Sequence, residues 1–275
     1  VSWLAFGVCL WMMPPLQGSV PRASAWGAFA VVDASSTRLL ASPGLNAPES
    51  LHTAYCEHGH ELGVSFVSRR RATDAHTRTG IADHLASQAG TLFRVTRGTA
   101  EPDESCFLAS DALLSSATPL TLRPPTPEGG CDPESQGQYA AERRRSIVRC
   151  WRLAHLPPDS HIVLVEFARR GRDALASLVL ASPSAAVFAD FPAQYRGEGQ
   201  DLWRVGDGGV LSPRGFDVLV ALRQDGSYAL AVSWVGTEGA SLMLLVSRDG
   251  RTFAREVADN RDWAPKSRED PGRRR

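Results

Sequence analysis

Trp203, Arg204 and Asp207 stand beside a glycine-rich turn at Gly206, Gly208 and Gly209, and Tyr195, Arg196 and Glu198 shortly precede them. An aromatic face with arginine and carboxylates can hold a sugar or a polar metabolite, and glycine lets backbone approach a ligand closely. Trp203, Arg204, Asp207 and Tyr195 are therefore the candidate ligand-binding residues. The plainer reading is a core tryptophan, an Arg–Asp ion pair and a turn. The segment is not a dinucleotide loop, because no Gly-x-Gly-x-x-Gly opens a helix after a strand. His58 and His60, inside Cys56-Glu57-His58-Gly59-His60-Glu61, are the candidate metal ligands. Two imidazoles two residues apart share one face of a strand, and His76 or His84 would complete a set suited to zinc, copper or iron. A surface loop with two solvated histidines explains the same residues without a metal, and no other cofactor is expected.

The His58–His60 spacing resembles the His-x-His of cupin-like metal sites, but the glutamate that family places four residues later is Val64 here. Ser247-Arg248-Asp249-Gly250-Arg251-Thr252-Phe253 resembles the Asp-box hairpin of sialidase-like β-propellers, one residue short between Asp and Thr. That resemblance implies a turn organised by the Asp249 carboxylate, which is a structural role. A propeller needs at least four repeated blades, and the first half carries no such period. Gly-x-Ser-x-Gly, His-Glu-x-x-His and Cys-x-x-Cys are all absent. His155 and His161 flank Pro157-Pro158, with Glu166 downstream, but no nucleophile is fixed beside them. The basic triplets Arg69-Arg70-Arg71 and Arg143-Arg144-Arg145 lack interleaved aromatics, so ion pairs or solvated faces are expected in place of a nucleic-acid groove.

Residues 1–25 read as a secretory signal peptide. An uncharged apolar run to Leu16 is followed by Ala23-Ser24-Ala25, a small-x-small exit, although the start carries no positive charge. The run is too short for a bilayer span, so no transmembrane segment is expected in the mature chain. Cys9 would leave with the leader. Cys56, Cys106, Cys131 and Cys150 remain, an even number that in an exported chain reads as two disulfides. Cys131–Cys150 is the nearest pair and leaves Cys56–Cys106, though four cysteines allow three pairings. The formal net charge is zero, so nothing points to nucleic acid or an anionic membrane surface. Lys266 is the only lysine among 30 basic residues, which reflects coding bias more than function.

The elements that would hold these residues are mostly strands. Apolar runs at 216–223, 228–235, 241–247 and 252–257 alternate with turn signals, among them Asp225-Gly226 and Asp249-Gly250, and predict a four-stranded C-terminal meander. Runs at 161–169 and 174–181 predict a hairpin turning at Gly171-Arg172-Asp173, and 187–191 and 202–205 predict short strands. In the first half, 29–33, 62–68, 91–96 and 106–109 are candidate strands, with one short helix near Ile81, His84 and Leu85. Residues 139–156 read as a helix start running into an extended segment.

The expected fold is mainly antiparallel β, sandwich- or barrel-like with little helix; the alternative is an irregular β-propeller. The expected organisation is a leader (1–25), an N-terminal β-rich region (26–122), a Pro/Gly-rich linker (123–138), a C-terminal antiparallel region (139–263) and a disordered tail (264–275). The functional expectation is an exported, periplasmic or extracellular, non-enzymatic module that binds a small molecule, a glycan or an envelope protein. The alternatives are a hydrolase acting on glycans or envelope polymers, with carboxylates converging near Trp203 and Asp207, and a metal-binding protein using His58 and His60.

Overall fold

The computed structural model describes residues 26–72, 88–124, 130–183, 185–195, 201–202, 211–236 and 239–262. The leader, the predicted helix near Ile81 and the tail lie outside them. Six strands close into a barrel in the order β1-β2-β5-β4-β3-β6. They are β1 (Gly27–Val32), β2 (Arg38–Ala41), β3 (Leu51–Cys56), β4 (Glu61–Arg70), β5 (Gly90–Arg97) and β6 (Ser105–Ser110). Helix α1 (Asp111–Ser116), N-capped by the Ser110 hydroxyl, leads to the short strand β7 (Thr118–Leu120). Helix α2 (Pro133–Arg143) then precedes a five-stranded meander: β8 (Ile147–Leu156), β9 (Ser160–Arg170), β10 (Asp173–Ser182), β11 (Ala185–Tyr195) and β12 (Asp201–Leu202). A second five-stranded sheet joins β7 to β13 (Phe216–Gln224), β14 (Ser227–Val235), β15 (Gly239–Ser247) and β16 (Ala254–Asp262).

The layers stack in the order barrel, β7/β13–β16 sheet, β8–β12 sheet, helix α2. Apolar side chains, among them Ala30, Val32, Leu39, Leu62, Phe93 and Leu108, fill the barrel interior. Its outward residues Phe29, Phe107 and Ala109 meet Leu222, Ala229, Ala231, Leu242, Leu244 and Val246 of the central sheet. The other face of that sheet, including Leu230, Val232, Trp234 and Leu245, packs on Leu164, Leu178 and Phe191 of the β8–β12 sheet. Tyr139 of α2 covers the outermost face with Val163, Val165, Val179 and Phe188. Burial on both faces explains why β14 and β15 read as near-continuous apolar runs.

The antiparallel β fold, the C-terminal meander and the low helix content are as the sequence predicts. The sandwich and barrel descriptions both apply, to different layers. The propeller alternative is not what forms among the described residues, where two meanders stack face to face beside a barrel. At the β13–β14 hairpin, Asp225 and Gly226 both adopt positive φ (45° and 80°), the requirement of a type I′ turn. The linker reading of 123–138 needs correction, because α2 begins inside it at Pro133. Asp132 caps the helix by accepting the Ser135 N–H at 2.8 Å, and Pro133 supplies a first residue with φ preset. The helix ends at Arg144, which is left-handed (φ 51°). β7, upstream of that linker, pairs with β13.

Candidate functional site

The β9–β10 hairpin end of the β8–β12 sheet gathers residues from segments far apart in sequence. There the Arg170 guanidinium donates to the Arg144 carbonyl just past α2. Arg145 donates to the Asp173 carbonyl at 3.0 Å. The Tyr195 N–H donates to the Arg172 carbonyl at 2.8 Å, and the Arg169 guanidinium lies 3.9 Å from the Tyr195 ring centre. These contacts bring Arg144, Arg145, Arg169, Arg170 and Arg172 to one end, with Tyr195 among them. Arg144, Arg169, Arg170 and Arg172 are exposed. Gln194 donates to the Asp173 carboxylate at 2.7 Å. Two further carboxylates on the same sheet are engaged away from this end. Arg143 pairs with Asp190 at 3.0 Å while stacking on Phe188, and Arg149 pairs with Glu166 at 2.6 Å. In a chain of zero net charge, arginine is therefore concentrated here.

Of the sequence-predicted ligand residues, the structure places Tyr195 at the close of β11. Trp203, Arg204 and Asp207 lie outside the described residues, as do Arg196 and Glu198. β12 pairs Asp201 with Tyr195 and Leu202 with Gln194. An aromatic beside arginine was legible, but the arginine on the Tyr195 ring is Arg169 from β9. What sequence reasoning passed over is the arginine density of 169–172. The hydrogen bonds from Arg170 to the Arg144 carbonyl and from Arg145 to the Asp173 carbonyl make it continuous with the triplet at 143–145.

The predicted metal ligands are arranged differently from expectation. β3 ends at Cys56, and Glu57–Gly59 form a 3-10 turn closed by the Cys56 N–H donating to the His60 carbonyl at 2.8 Å, with Gly59 at φ 79°. His58 thus stands in a turn and His60 after it, where the expectation had both on one strand face. The His60 Nδ1 lies 2.8 Å from the buried Glu104 carboxylate. Cys56 is bonded to Cys106 and Cys131 to Cys150, so no free thiol stands beside the histidines. Among the described residues, no group of three His, Cys, Asp or Glu side chains could hold a metal ion; His76 and His84 lie outside them. The buried carboxylates Glu104 and Glu166 belong to different layers, and each meets a basic side chain.

Asp249 takes the role implied by the Asp-box resemblance. Its carboxylate accepts the Arg251 and Thr252 N–H groups at 2.8 Å each and the Thr252 hydroxyl at 2.8 Å. The Thr252 and Arg251 amides and then the Thr252 hydroxyl hold the carboxyl well below the usual carboxylate range. The turn also clips the two sheets together: Phe188 donates to the Arg251 carbonyl at 3.0 Å, and Phe253 donates to the Phe188 carbonyl at 2.8 Å. Because the folded pKa is depressed, the stabilisation is present above the unfolded value near 3.8 and is lost only as pH falls well below it. Asp249→Ala is expected to lower the melting temperature at pH 7. It should also speed amide exchange at Arg251, Thr252 and Phe253 ahead of β16. Unchanged exchange at those amides would show that the clip holds without the carboxylate.

Among the described residues, no helix is long and apolar enough to cross a membrane. No protein-family model matches the chain, and neither does any curated protein or solved structure.

Proposed function

We propose that the protein is an exported, non-enzymatic binding module that takes an acidic glycan at the arginine-rich end of the β8–β12 sheet. One observation carries the reading: Arg144 and Arg145, just past α2, meet Arg169, Arg170 and Arg172, from the end of β9 and its turn, at the sheet end that holds Tyr195. Arginine presents a planar fork of donors that suits carboxylate and sulfate groups, and it stacks on aromatic rings. Tyrosine offers a flat face to a sugar ring while its neighbours meet the acid. A rigid sheet with packed faces holds the donors in place, and the loops at its end are free to contact the ligand. Export is supported by the leader pattern and by the two disulfides, which persist in oxidising compartments. No step of the reading requires a cofactor.

The test is retention of the mature chain on immobilised alginate against neutral dextran at rising salt. Retention on alginate that weakens with salt is the expected result. Reversing two exposed charges with Arg144→Glu and Arg172→Glu should weaken alginate binding roughly tenfold or more, because each screened ionic contact contributes on the order of 0.2–1 kcal/mol and reversal adds repulsion. Equal retention on dextran, or an unaffected double variant, would remove the arginine-rich end as the site.

A further inference from the structure

The opposite end of the β8–β12 sheet carries, on its outer face, a second, smaller group of bases. Across an antiparallel pair, directly opposed residues share a face. Arg152 opposes Val163, which packs in the outer cluster with Tyr139 of α2. His155 opposes His161, two residues before Val163 on β9, so both imidazoles stand on that face too. Arg123 forms an isolated antiparallel bridge with His155, the two exchanging N–H···O bonds at 2.9 Å each. Arg123, His155 and His161 thus form one row across three strands, with Arg152 in the adjoining row. The His155 N–H and carbonyl are both spent on Arg123 and point away from β9. His155 and His161 are therefore a non-hydrogen-bonded pair, the kind whose side chains lie closer together, with Cα atoms about 4.5 Å apart. On β10 the residue opposite His161 is Ala181, which adds no polar group to the row.

Among the described residues no ion pair engages Arg123, Arg152, His155 or His161. The nearby acids are Asp159, exposed in the β8–β9 turn, and Asp132, the N-cap of α2, whose two oxygens accept from the Ser135 N–H and hydroxyl at 2.8 Å each. The Arg152 Nε is buried and donates to no acceptor among the described residues. A buried charged donor left unsatisfied is costly, and two histidines directly opposed beside two arginines cannot all be charged without repulsion. A cation would enter this field against Arg123 and Arg152, whereas an oxyanion would satisfy all four groups at once.

We propose that Arg123, Arg152, His155 and His161 form a binding site for a tetrahedral oxyanion, a phosphate or sulfate group, that takes up a proton as it binds. Burial, then Arg152, and to a smaller extent His155 push the His161 imidazole below its usual 6.5, and Asp132 opposes them. Without a ligand, His161 therefore protonates less readily than a free imidazole. A bound oxyanion favours the charged form, so binding draws in a proton and tightens as pH falls, by at most about tenfold per pH unit for one proton. With no ligand the sign is reversed. The folded chain resists protonation of His161 while the unfolded chain accepts it near pH 6.5, so this group lowers stability as the solution is acidified.

The test is titration of the mature chain with sodium sulfate at pH 7.5 and 5.5, where the charge of the probe is constant, and with sodium phosphate and glucose 6-phosphate at pH 7.5, all at constant ionic strength and followed by calorimetry and thermal shift. Sulfate binding that strengthens at pH 5.5 is expected, together with thermal stabilisation larger at pH 5.5 than at 7.5. Arg152→Met should abolish binding at both pH values. His161→Gln should retain weak binding and lose its pH dependence, and it keeps the test open if the Arg152 variant does not fold. Equal affinity for phosphate and glucose 6-phosphate would identify the free ion as the ligand, and tighter binding of the ester a phosphorylated sugar. The Arg144→Glu, Arg172→Glu chain should titrate normally, which separates this site from the alginate site. No binding of any probe, pH-independent binding of sulfate, or stabilisation by copper or nickel with none by sulfate or phosphate would overturn the proposal.

Discussion

Replacing Cys56 and Cys106 together by alanine is expected to lower stability by about 4 kcal/mol, the larger of the two disulfide effects. The bridge spans 50 residues, whereas Cys131–Cys150 spans 19. In the chain-entropy account, the loss from opening a loop grows with the logarithm of its length, which gives about 4 and about 3 kcal/mol respectively. Position adds to the difference. Cys56 and Cys106 are directly opposed on β3 and β6, and both are fully buried in the apolar interior of the barrel. Cys150 is only partly buried on the outer sheet face, where it meets Cys131 from the residues before α2. A mild reductant should therefore open Cys131–Cys150 first and leave Cys56–Cys106 closed until the barrel unfolds. Guanidinium unfolding of the two double-alanine chains, with alkylation and mass spectrometry of the partly reduced parent, checks both points. A loss below 1 kcal/mol for the Cys56, Cys106 pair would mean that the apolar filling of the barrel alone sets its stability.

The sequence showed some of this architecture and hid the rest for identifiable reasons. The C-terminal meander was legible because its strands follow one another and its turns carry local signals such as Asp225-Gly226. The barrel was not, because its closure depends on β6 pairing with both β1 and β3, and on β2 pairing with β5 past two intervening strands. β7 contains Pro119, which argues against a strand; it forms because β7 is an edge strand of its sheet. The start of α2 was hidden by composition: the window is rich in Pro and Gly, yet Asp132-Pro133 is a cap followed by a first-turn proline. The same limit governs the sites. Tyr195 could be marked from its neighbours, but its contact with Arg169 is made by two successive hairpins. His155 and His161 could be seen flanking two prolines, but only the Arg123 bridge and the register show that they meet as a close pair.

Phe107→Ala tests how the layers depend on one another. Along β6 the side chains alternate, with Cys106 and Leu108 entering the barrel and Phe107 and Ala109 facing the central sheet. Phe107 is fully buried, and its ring lies 5.3 Å from that of Phe29 on the neighbouring strand. Truncation removes the largest β6 side chain at the contact between barrel and sheet. Phe107 has no exposed surface, so the loss should fall at about 3–5 kcal/mol. Phe66, only partly buried on β4, is the control and should lose less. The form of the transition is as informative as its midpoint. The parent should unfold in one calorimetric step because β1, β6 and the central sheet share a core. Phe107→Ala should broaden or split that step as the barrel loses its hold on the sheet. Two separate transitions already in the parent, with a loss under 1 kcal/mol in the variant, would mean that the two layers are stable apart. The arginine-rich end, on the far side of the sandwich, would then owe its rigidity to the two stacked sheets and the Asp249 clip, with no contribution from the barrel.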